Sequence, residues 1–79
     1  SDLSATVGID GCDSGVTNQL LADGATFNDL IGASAVSAKN HGKFVAAVNM
    51  LANEWRADGL ITGRDKGKIT SCAARADIP

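Results

Sequence analysis

The sequence is poor in aromatic residues, with no tyrosine, two phenylalanines and one tryptophan. Alanine and glycine are abundant instead, which favours helices that pack closely around a few large side chains. No run of residues approaches the roughly 20 apolar positions that a membrane-spanning helix needs. The chain has a single histidine, so no site built from several histidines is available to it. The length of 79 residues indicates one small globular domain, residues 1–79, and the lack of a long apolar run predicts no membrane span.

Cysteine is also scarce: Cys12 and Cys72 are the only two, so only one pairing is possible. They lack the C-x-x-C spacing of redox motifs, and with His41 they supply at most three of the four ligands of a zinc site. A disulfide between them would close a loop of about sixty residues and stabilise the fold by roughly 4 kcal/mol. We therefore predict a Cys12–Cys72 disulfide and a secreted or otherwise extracytoplasmic location. Two free buried cysteines in a cytosolic protein are the alternative.

Charge is divided unevenly along the chain. Residues 1–38 contain five aspartates and no lysine or arginine (net −5), whereas residues 39–79 contain seven basic and four acidic residues (net +3), which together give −2. Two interpretations remain open: the halves attract each other within one fold, or the molecule docks head to tail on a copy of itself or on a charged surface. The basic half is too weakly charged for a nucleic-acid footprint, so we expect no nucleic-acid partner.

The front of the chain contains no strong periodic pattern. Residues 1–15 are predicted to form a loop-like N-terminal arm, because glycine, aspartate and serine punctuate them. Within this arm Val7 and Ile9 alternate with small or polar residues, which is compatible with a short extended piece. Residues 16–22 are compatible with a short N-terminal helix of one or two turns, which Asp23-Gly24 would end.

Three main helices are predicted after this arm, at about residues 27–39, 40–57 and 62–76. Thr26 and Thr62 are each followed three residues later by an aspartate, a variant of the capping box, and Asn40 is a good N-cap. The apolar positions behind these caps recur with helical spacing. The sequence thus predicts an all-α fold: a small bundle of three main helices plus a possible short N-terminal helix, joined by one disulfide. The predicted core consists of the apolar stripe of these helices: Phe27, Leu30, Ile31, Phe44, Val48, Leu51, Trp55, Ile69 and Cys72.

The basic residues around the helix starts form the best candidate for an interaction surface. The predicted set combines the junction before the second helix with the first turns of the last helix: Lys39, His41, Lys43, Arg64, Lys66 and Lys68. Cations beside free helix N-terminal amides are typical of anion or acidic-surface binding, and a solvated face is the alternative.

Two residue patterns suggest chemistry without supplying a complete site. His41 suits either a structural role at the helix junction or a binding or catalytic role, but no serine lies in a nucleophile-elbow context. Asp10 and Asp13 resemble the start of a calcium loop, yet the bidentate glutamate of such loops is missing. We therefore predict no catalytic residue and no cofactor, with Asp10 and Asp13 as the calcium candidate.

Two stretches carry a resemblance: Lys39-Asn40-His41-Gly42-Lys43-Phe44-Val45, and Gly59 to Gly63 with Lys66-Gly67-Lys68-Ile69 and Ser71-Cys72-Ala73-Ala74. They resemble small exported bacterial proteins that have no assigned activity, over about half the chain. The resemblance implies export and a helical fold, and no catalytic residue. The start Ser1-Asp2-Leu3-Ser4 also reads like a mature chain after signal cleavage, or like a trimmed fragment.

These observations predict a small exported, non-catalytic binding or assembly domain that acts on a protein partner or on itself. One alternative is a structural subunit of a self-assembling extracellular fibre or layer. Another is a ligand-binding or enzymatic protein that uses His41, whose small-molecule ligand the sequence does not identify.

Overall fold

The computed structural model describes residues 1–78 and contains two strands followed by three helices. The elements in chain order are β1 (Thr6–Ile9), β2 (Cys12–Thr17), α1 (Phe27–Ser37), α2 (His41–Ala57) and α3 (Gly63–Arg75). The fold is therefore mixed α/β, and the prediction of an all-α fold was wrong. The helices begin and end within two residues of the predicted bounds, so the errors lie in the first 22 residues.

The N-terminal arm predicted as a loop is a two-stranded antiparallel hairpin. Ile9 pairs with Cys12, which leaves Asp10 and Gly11 as a two-residue turn, with φ of 51° and 78°. Positive φ at both central residues defines the type I′ turn, whose twist matches that of the flanking strands. Asp-Gly is a preferred sequence for this turn, because aspartate tolerates and glycine favours the left-handed region.

The predicted short helix at residues 16–22 is also absent, because its first two residues belong to β2. The following segment instead forms an isolated bridge from Leu20 to Thr26. Gln19 fixes this segment to the rest of the fold, since its side-chain amide donates to the Leu60 carbonyl oxygen at 2.7 Å. The chain thus needs no helical turn here to satisfy its polar groups.

An irregularity in the hairpin is stabilised by one buried serine. The register shifts between Thr6 and Gly8, so that β2 contains extra residues at this point. The Ser14 hydroxyl donates to the Val7 carbonyl oxygen at 2.7 Å and accepts from the Val16 amide at 3.1 Å. One side chain therefore replaces ladder bonds that the bulge removes.

The helix starts follow the caps that the sequence predicts. Thr26 and Thr62 each form a capping box with the aspartate three residues later, and the Asn40 side chain accepts from the Lys43 amide. At the end of α2, Gly59 has a φ of 79°, and the amide of Leu60 donates to the Trp55 carbonyl oxygen. This is the Schellman arrangement, in which glycine reverses the chain direction and satisfies terminal carbonyls.

The core lies between the inner face of the hairpin and the three helices. Phe27 and Trp55 stack with ring centroids 4.0 Å apart, and both are buried. Of the predicted core, Leu30 and Leu51 are only half-buried, whereas the other seven residues are buried. The hairpin and the loop before α3 supply buried side chains that were not predicted: Val7, Ile9, Val16 and Ile61.

The predicted disulfide is present and joins Cys12 at the start of β2 to Cys72 on α3. The two Cα atoms lie 5.6 Å apart, although sixty residues separate the cysteines in sequence. The bond therefore fixes the hairpin to the last helix. Within residues 1–78, every helix is too short or too polar to span a bilayer.

Two asparagines attach the N-terminal segment and the outer edge of β1 to α1. The Asn28 side chain donates to the Thr6 carbonyl oxygen at 3.0 Å and accepts from the Gly8 amide at 3.2 Å, as a neighbouring strand would. The Asn18 side chain accepts from the Asn28 amide and donates to the carbonyl oxygens of Asp2 and Ser4. The free edge of β1 is thereby closed by side chains.

Candidate interaction surface

A groove of about 400 Å³ runs between α3 and β2 and is bordered by three cationic side chains, Arg64, Lys68 and Arg75. These residues are exposed and share one side of α3 because positions separated by four, seven and eleven residues coincide on a helix. From Arg64 to Arg75 the helix advances about 16 Å. We call this feature the basic groove; Gly67, Ser71, Cys72, Asp13 and Ser14 complete its lining.

One cation of the basic groove is positioned by its own helix. The Arg75 Nε donates to the Ser71 carbonyl oxygen at 3.4 Å, and its Nη2 donates to the Ser71 hydroxyl at 3.3 Å. These bonds hold the guanidinium along the groove wall. Gly67 lies between Arg64 and Lys68, and a Cβ atom added there would meet nothing within 4 Å. The groove is therefore open beside Gly67, and a cation borders each of its ends.

The six residues of the predicted interaction surface do not form one patch. Arg64 and Lys68 border the basic groove, whereas Lys39 and Lys43 border a second groove of about 390 Å³ at the junction of α1 and α2. We call the latter the elbow groove; serines and alanines supply the rest of its lining. The two pairs therefore belong to separate surfaces.

The other two members of that set border neither groove. Lys66 lies about 200° around the helix from Arg64, given 3.6 residues per turn, and is half-buried. His41 is the first residue of α2 and is half-buried beside the cap residue Asn40. Arg75 was missed by the sequence analysis, although its spacing from Arg64 and Lys68 on one helix face was a usable signal.

The calcium candidates Asp10 and Asp13 are both engaged with backbone amides. Asp10 Oδ2 accepts from the Asp77 amide at 2.7 Å, which fastens the C-terminal segment to the hairpin turn. Asp13 Oδ1 accepts from the Gly15 amide at 2.9 Å. Among residues 1–78, no three side chains of the types His, Cys, Asp and Glu are grouped closely enough to hold a metal ion. Both carboxylates therefore accept a backbone hydrogen bond, Asp10 from a residue distant in sequence and Asp13 from a near neighbour.

The outer face of the hairpin forms a groove of about 300 Å³ that carries acidic side chains, including Asp2 and Asp13. We call it the acidic groove; Ser4, Thr6 and Gly8 form its floor. Asp29 lies directly beside it, because its Oδ1 accepts from the Asp2 amide at 2.7 Å. Asp13 borders both the acidic and the basic groove, so the two surfaces meet along β2.

Hydrogen bonds keep these carboxylates ionised. The pKa of Asp29 is lowered chiefly by the Thr26 amide and next by the Asp2 amide. The pKa of Asp2 is lowered by the hydroxyl and amide of Ser4, and that of Asp13 chiefly by the Gly15 amide. All three groups lie at the surface, and donors that bind the charged form favour ionisation. The acidic groove therefore stays negatively charged at pH values somewhat below the usual pKa of a carboxyl group.

The free edge of β2 is poorly suited to accept another strand. Gly15 adopts a φ of 74°, and its amide is already bound by the Asp13 carboxylate. Bulges and charged side chains at an edge oppose strand addition. A partner in the basic groove would therefore contact side chains of α3 in preference to extending the sheet.

Comparison of the chain with protein-family models, with curated proteins and with solved structures finds no match. The function is therefore inferred from the chemistry of these surfaces.

Proposed function

We propose that this chain is a non-catalytic, disulfide-stabilised binding domain that recognises an acidic protein segment through the basic groove. The observation that carries the proposal is the alignment of Arg64, Lys68 and Arg75 along one groove. An extended peptide advances about 3.3 Å per residue, so the 16 Å stripe matches about five residues. Lys68 lies about 6 Å along the axis from Arg64, and Arg75 about 10 Å further, so acidic side chains at the first, third and sixth positions of such a segment would meet successive cations.

The expected affinity is modest and depends on salt. Exposed ion pairs contribute about 0.2–1 kcal/mol each, so three of them contribute at most about 3 kcal/mol. Screening acts over about 10 Å at 0.1 M salt, which weakens contacts between exposed charges further. Such an interface suits a reversible interaction, with specificity set by the spacing of the charges.

A protein segment fits this groove better than a nucleic acid or a membrane. Both phenylalanines and the tryptophan are buried, so no aromatic side chain offers a stacking platform for bases. The exposed large apolar side chains that could insert into a bilayer, Leu3, Leu20, Val36 and Met50, are absent from the lining of the basic groove. Charge complementarity with a carboxylate-rich segment is then the main source of recognition.

The non-catalytic assignment is supported by the way the buried polar groups are used. Ser14 and Asn28 bind strand backbone, and Thr26 caps α1. Within residues 1–78, every buried side-chain nitrogen and oxygen has a hydrogen-bond partner. These polar groups serve the fold, and His41 stands apart from both the basic and the acidic groove.

An oxidising location follows from the same proposal. The Cys12–Cys72 bond is compatible with an extracytoplasmic compartment, since cytosolic thiols are kept reduced. It also joins the two walls of the basic groove, because Cys12 belongs to β2 and Cys72 to α3. We propose that the domain is exported and that its binding surface depends on the oxidised state.

The test measures binding of a fluorescent poly-glutamate peptide by anisotropy at low salt. Arg64→Glu/Lys68→Glu should weaken binding at least about tenfold, since two attractive contacts become repulsive. Glutamate at position 64 is favourable in the first turn of α3, and both side chains are exposed, so α3 should stay folded. Lys39→Glu/Lys43→Glu is the matched control, because it makes the same charge change in the elbow groove and should leave binding within about twofold.

Three results would overturn the proposal. The first is no detectable binding of the peptide by the native chain at low salt. The second is an equal loss in the two double variants, which would indicate only a dependence on net charge. The third is tighter binding to a sulfated polysaccharide or to anionic vesicles than to the peptide, which would assign the groove to a different class of partner.

A further inference from the structure

We infer that the acidic segment bound by the basic groove is the acidic groove of a second copy of this chain. The inference rests on the proposed function, whose partner it names. The two grooves have opposite charge and comparable volumes of about 400 and 300 Å³. Arg64, Lys68 and Arg75 border one, and Asp2 and Asp13 border the other. The molecule thus carries both halves of a complementary interface.

The position of the grooves selects the symmetry of the assembly. They adjoin along β2, since Asp13 contributes to both. When complementary surfaces lie side by side, a two-fold rotation brings each acidic groove onto the basic groove of the other copy at once. Surfaces on opposite sides of a molecule would instead join head to tail into an open chain. The geometry therefore favours a closed dimer over a fibre.

A dimer of this kind uses each charge pair twice. Two-fold symmetry repeats every contact, so the small contribution of one exposed pair is doubled in the complex. The carboxylates of the acidic groove are already held in place by the amides of Ser4 and Gly15, so little conformational entropy is lost when the dimer forms. The association should weaken steeply as salt rises.

The edge of β2 lies at the centre of the proposed dimer, but it does not pair with the β2 edge of the other copy. Its bulge and the Asp13–Gly15 bond oppose strand addition. The contact between copies is therefore made by side chains, with the arginines and lysine of α3 facing the hairpin of the other copy. Because the two-fold contact uses both grooves of each copy and adds no strand at the edge, growth stops at two chains.

The test is sedimentation velocity of the full chain over a range of protein concentrations. At low salt the native chain should show a monomer–dimer equilibrium, and at about 0.5 M salt it should be monomeric. Arg64→Glu/Lys68→Glu reverses the basic groove, and Asp2→Lys/Asp13→Lys reverses the acidic groove. Each variant alone should raise the dimer Kd at least about thirtyfold.

Mixing the two reversed variants gives the decisive measurement. In the heterodimer the reversed residues 64 and 68 again face opposite charges at residues 2 and 13, whereas the unchanged Arg75 still faces lysines in one of the two contacts. The mixture should therefore dimerise much more tightly than either variant alone, and somewhat less tightly than the native chain. Lys39→Glu/Lys43→Glu should keep the native dimer Kd within about twofold. Because Asp13→Lys also removes the bond to Gly15, the single variant Asp2→Lys serves if the double variant fails to fold.

Two outcomes separate this inference from the proposed function. A native chain that stays monomeric at low salt and millimolar concentration, yet binds the poly-glutamate peptide, refutes the dimer and leaves the acidic protein partner standing. A native chain that does neither overturns both. Species larger than a dimer, or a mixture of reversed variants that stays monomeric, would refute the two-fold arrangement.

Discussion

Loss of the Cys12–Cys72 bond should remove much of the stability of this domain. The bond joins residues that are 60 positions apart. In the chain-entropy model a loop of this length contributes about 4 kcal/mol, because it restricts the unfolded chain. Domains of this length are stable by roughly 4–12 kcal/mol in total. Reduction should therefore leave the domain marginally stable or unfolded.

Urea unfolding provides the measurement, with the fluorescence of the single tryptophan as the signal, since Trp55 stacks on Phe27. The oxidised chain, the reduced chain and the variant Cys12→Ala/Cys72→Ala should be compared at one pH. The free energy of unfolding should fall by about 4 kcal/mol in both altered forms. The m-value should rise, because an unfolded chain without the cross-link exposes more surface.

The two altered forms act as controls for each other. Cys72 is 1 % exposed, so its replacement by alanine also removes packed atoms. A loss in the double variant that is absent from the reduced chain would assign the effect to packing. A decrease below about 1 kcal/mol in the reduced chain, with an unchanged m-value, would refute the role that we give to this bond.

Four further outcomes follow from particular contacts. Trp55→Ala should cost about 3–5 kcal/mol by urea unfolding followed by far-UV circular dichroism, because it removes a buried aromatic stacked on Phe27, and a native midpoint would contradict this. Asn28→Ala should cost about 1–3 kcal/mol and raise amide exchange in β1, whose outer edge would lose both of its side-chain bonds. Gly67→Ala should stabilise α3 by about 1 kcal/mol, since the added Cβ meets nothing within 4 Å; a lower melting temperature would argue against the open groove. The depressed pKa of Asp29 contributes stability above the ordinary carboxyl value of 3.8, which is lost as pH falls below it; Asp29→Asn should therefore flatten the acid side of the stability profile.

The three helices were predictable because local interactions determine where they start. Thr26, Asn40 and Thr62 accept backbone amides of their own first turns, so the signal lies within four residues of sequence. The stop at Gly59 is equally local, since it requires only a residue that tolerates positive φ. Such features need no knowledge of the rest of the fold.

The hairpin was mispredicted although its turn carries a local signal. Asp10-Gly11 favours a type I′ turn, but the strands beside it are short and rich in glycine, which reads as loop. The strands are stable because Val7, Ile9 and Val16 are buried under the helices and because Asn28 completes the edge of β1. These contacts connect residues about twenty or more positions apart, so a local pattern does not contain them.

The grouping of the basic side chains into grooves was predicted only in part. Arg64 and Lys68 do border the basic groove, but Lys66 turns away on the same helix and Lys39 and Lys43 belong to another surface. All these residues lie near the predicted helix starts, which suggested one patch. The start of α2 and the start of α3 belong to different surfaces, and successive residues of α3 point in different directions around the helix axis. Arg75 joins the groove because its helix continues for two more turns beyond Lys68.

The sequence by itself determined the helix limits, the pairing of the cysteines and the uneven distribution of charge. These features depend on neighbouring residues or on the number of available partners, so they can be read without a fold. Only the tertiary structure decided that the first residues form a hairpin and that acidic and basic side chains meet along β2. The hairpin and the meeting of the two charges depend on which distant segments pack together. The hairpin is buried against α1 and α3, and these contacts exist only once the whole chain has folded.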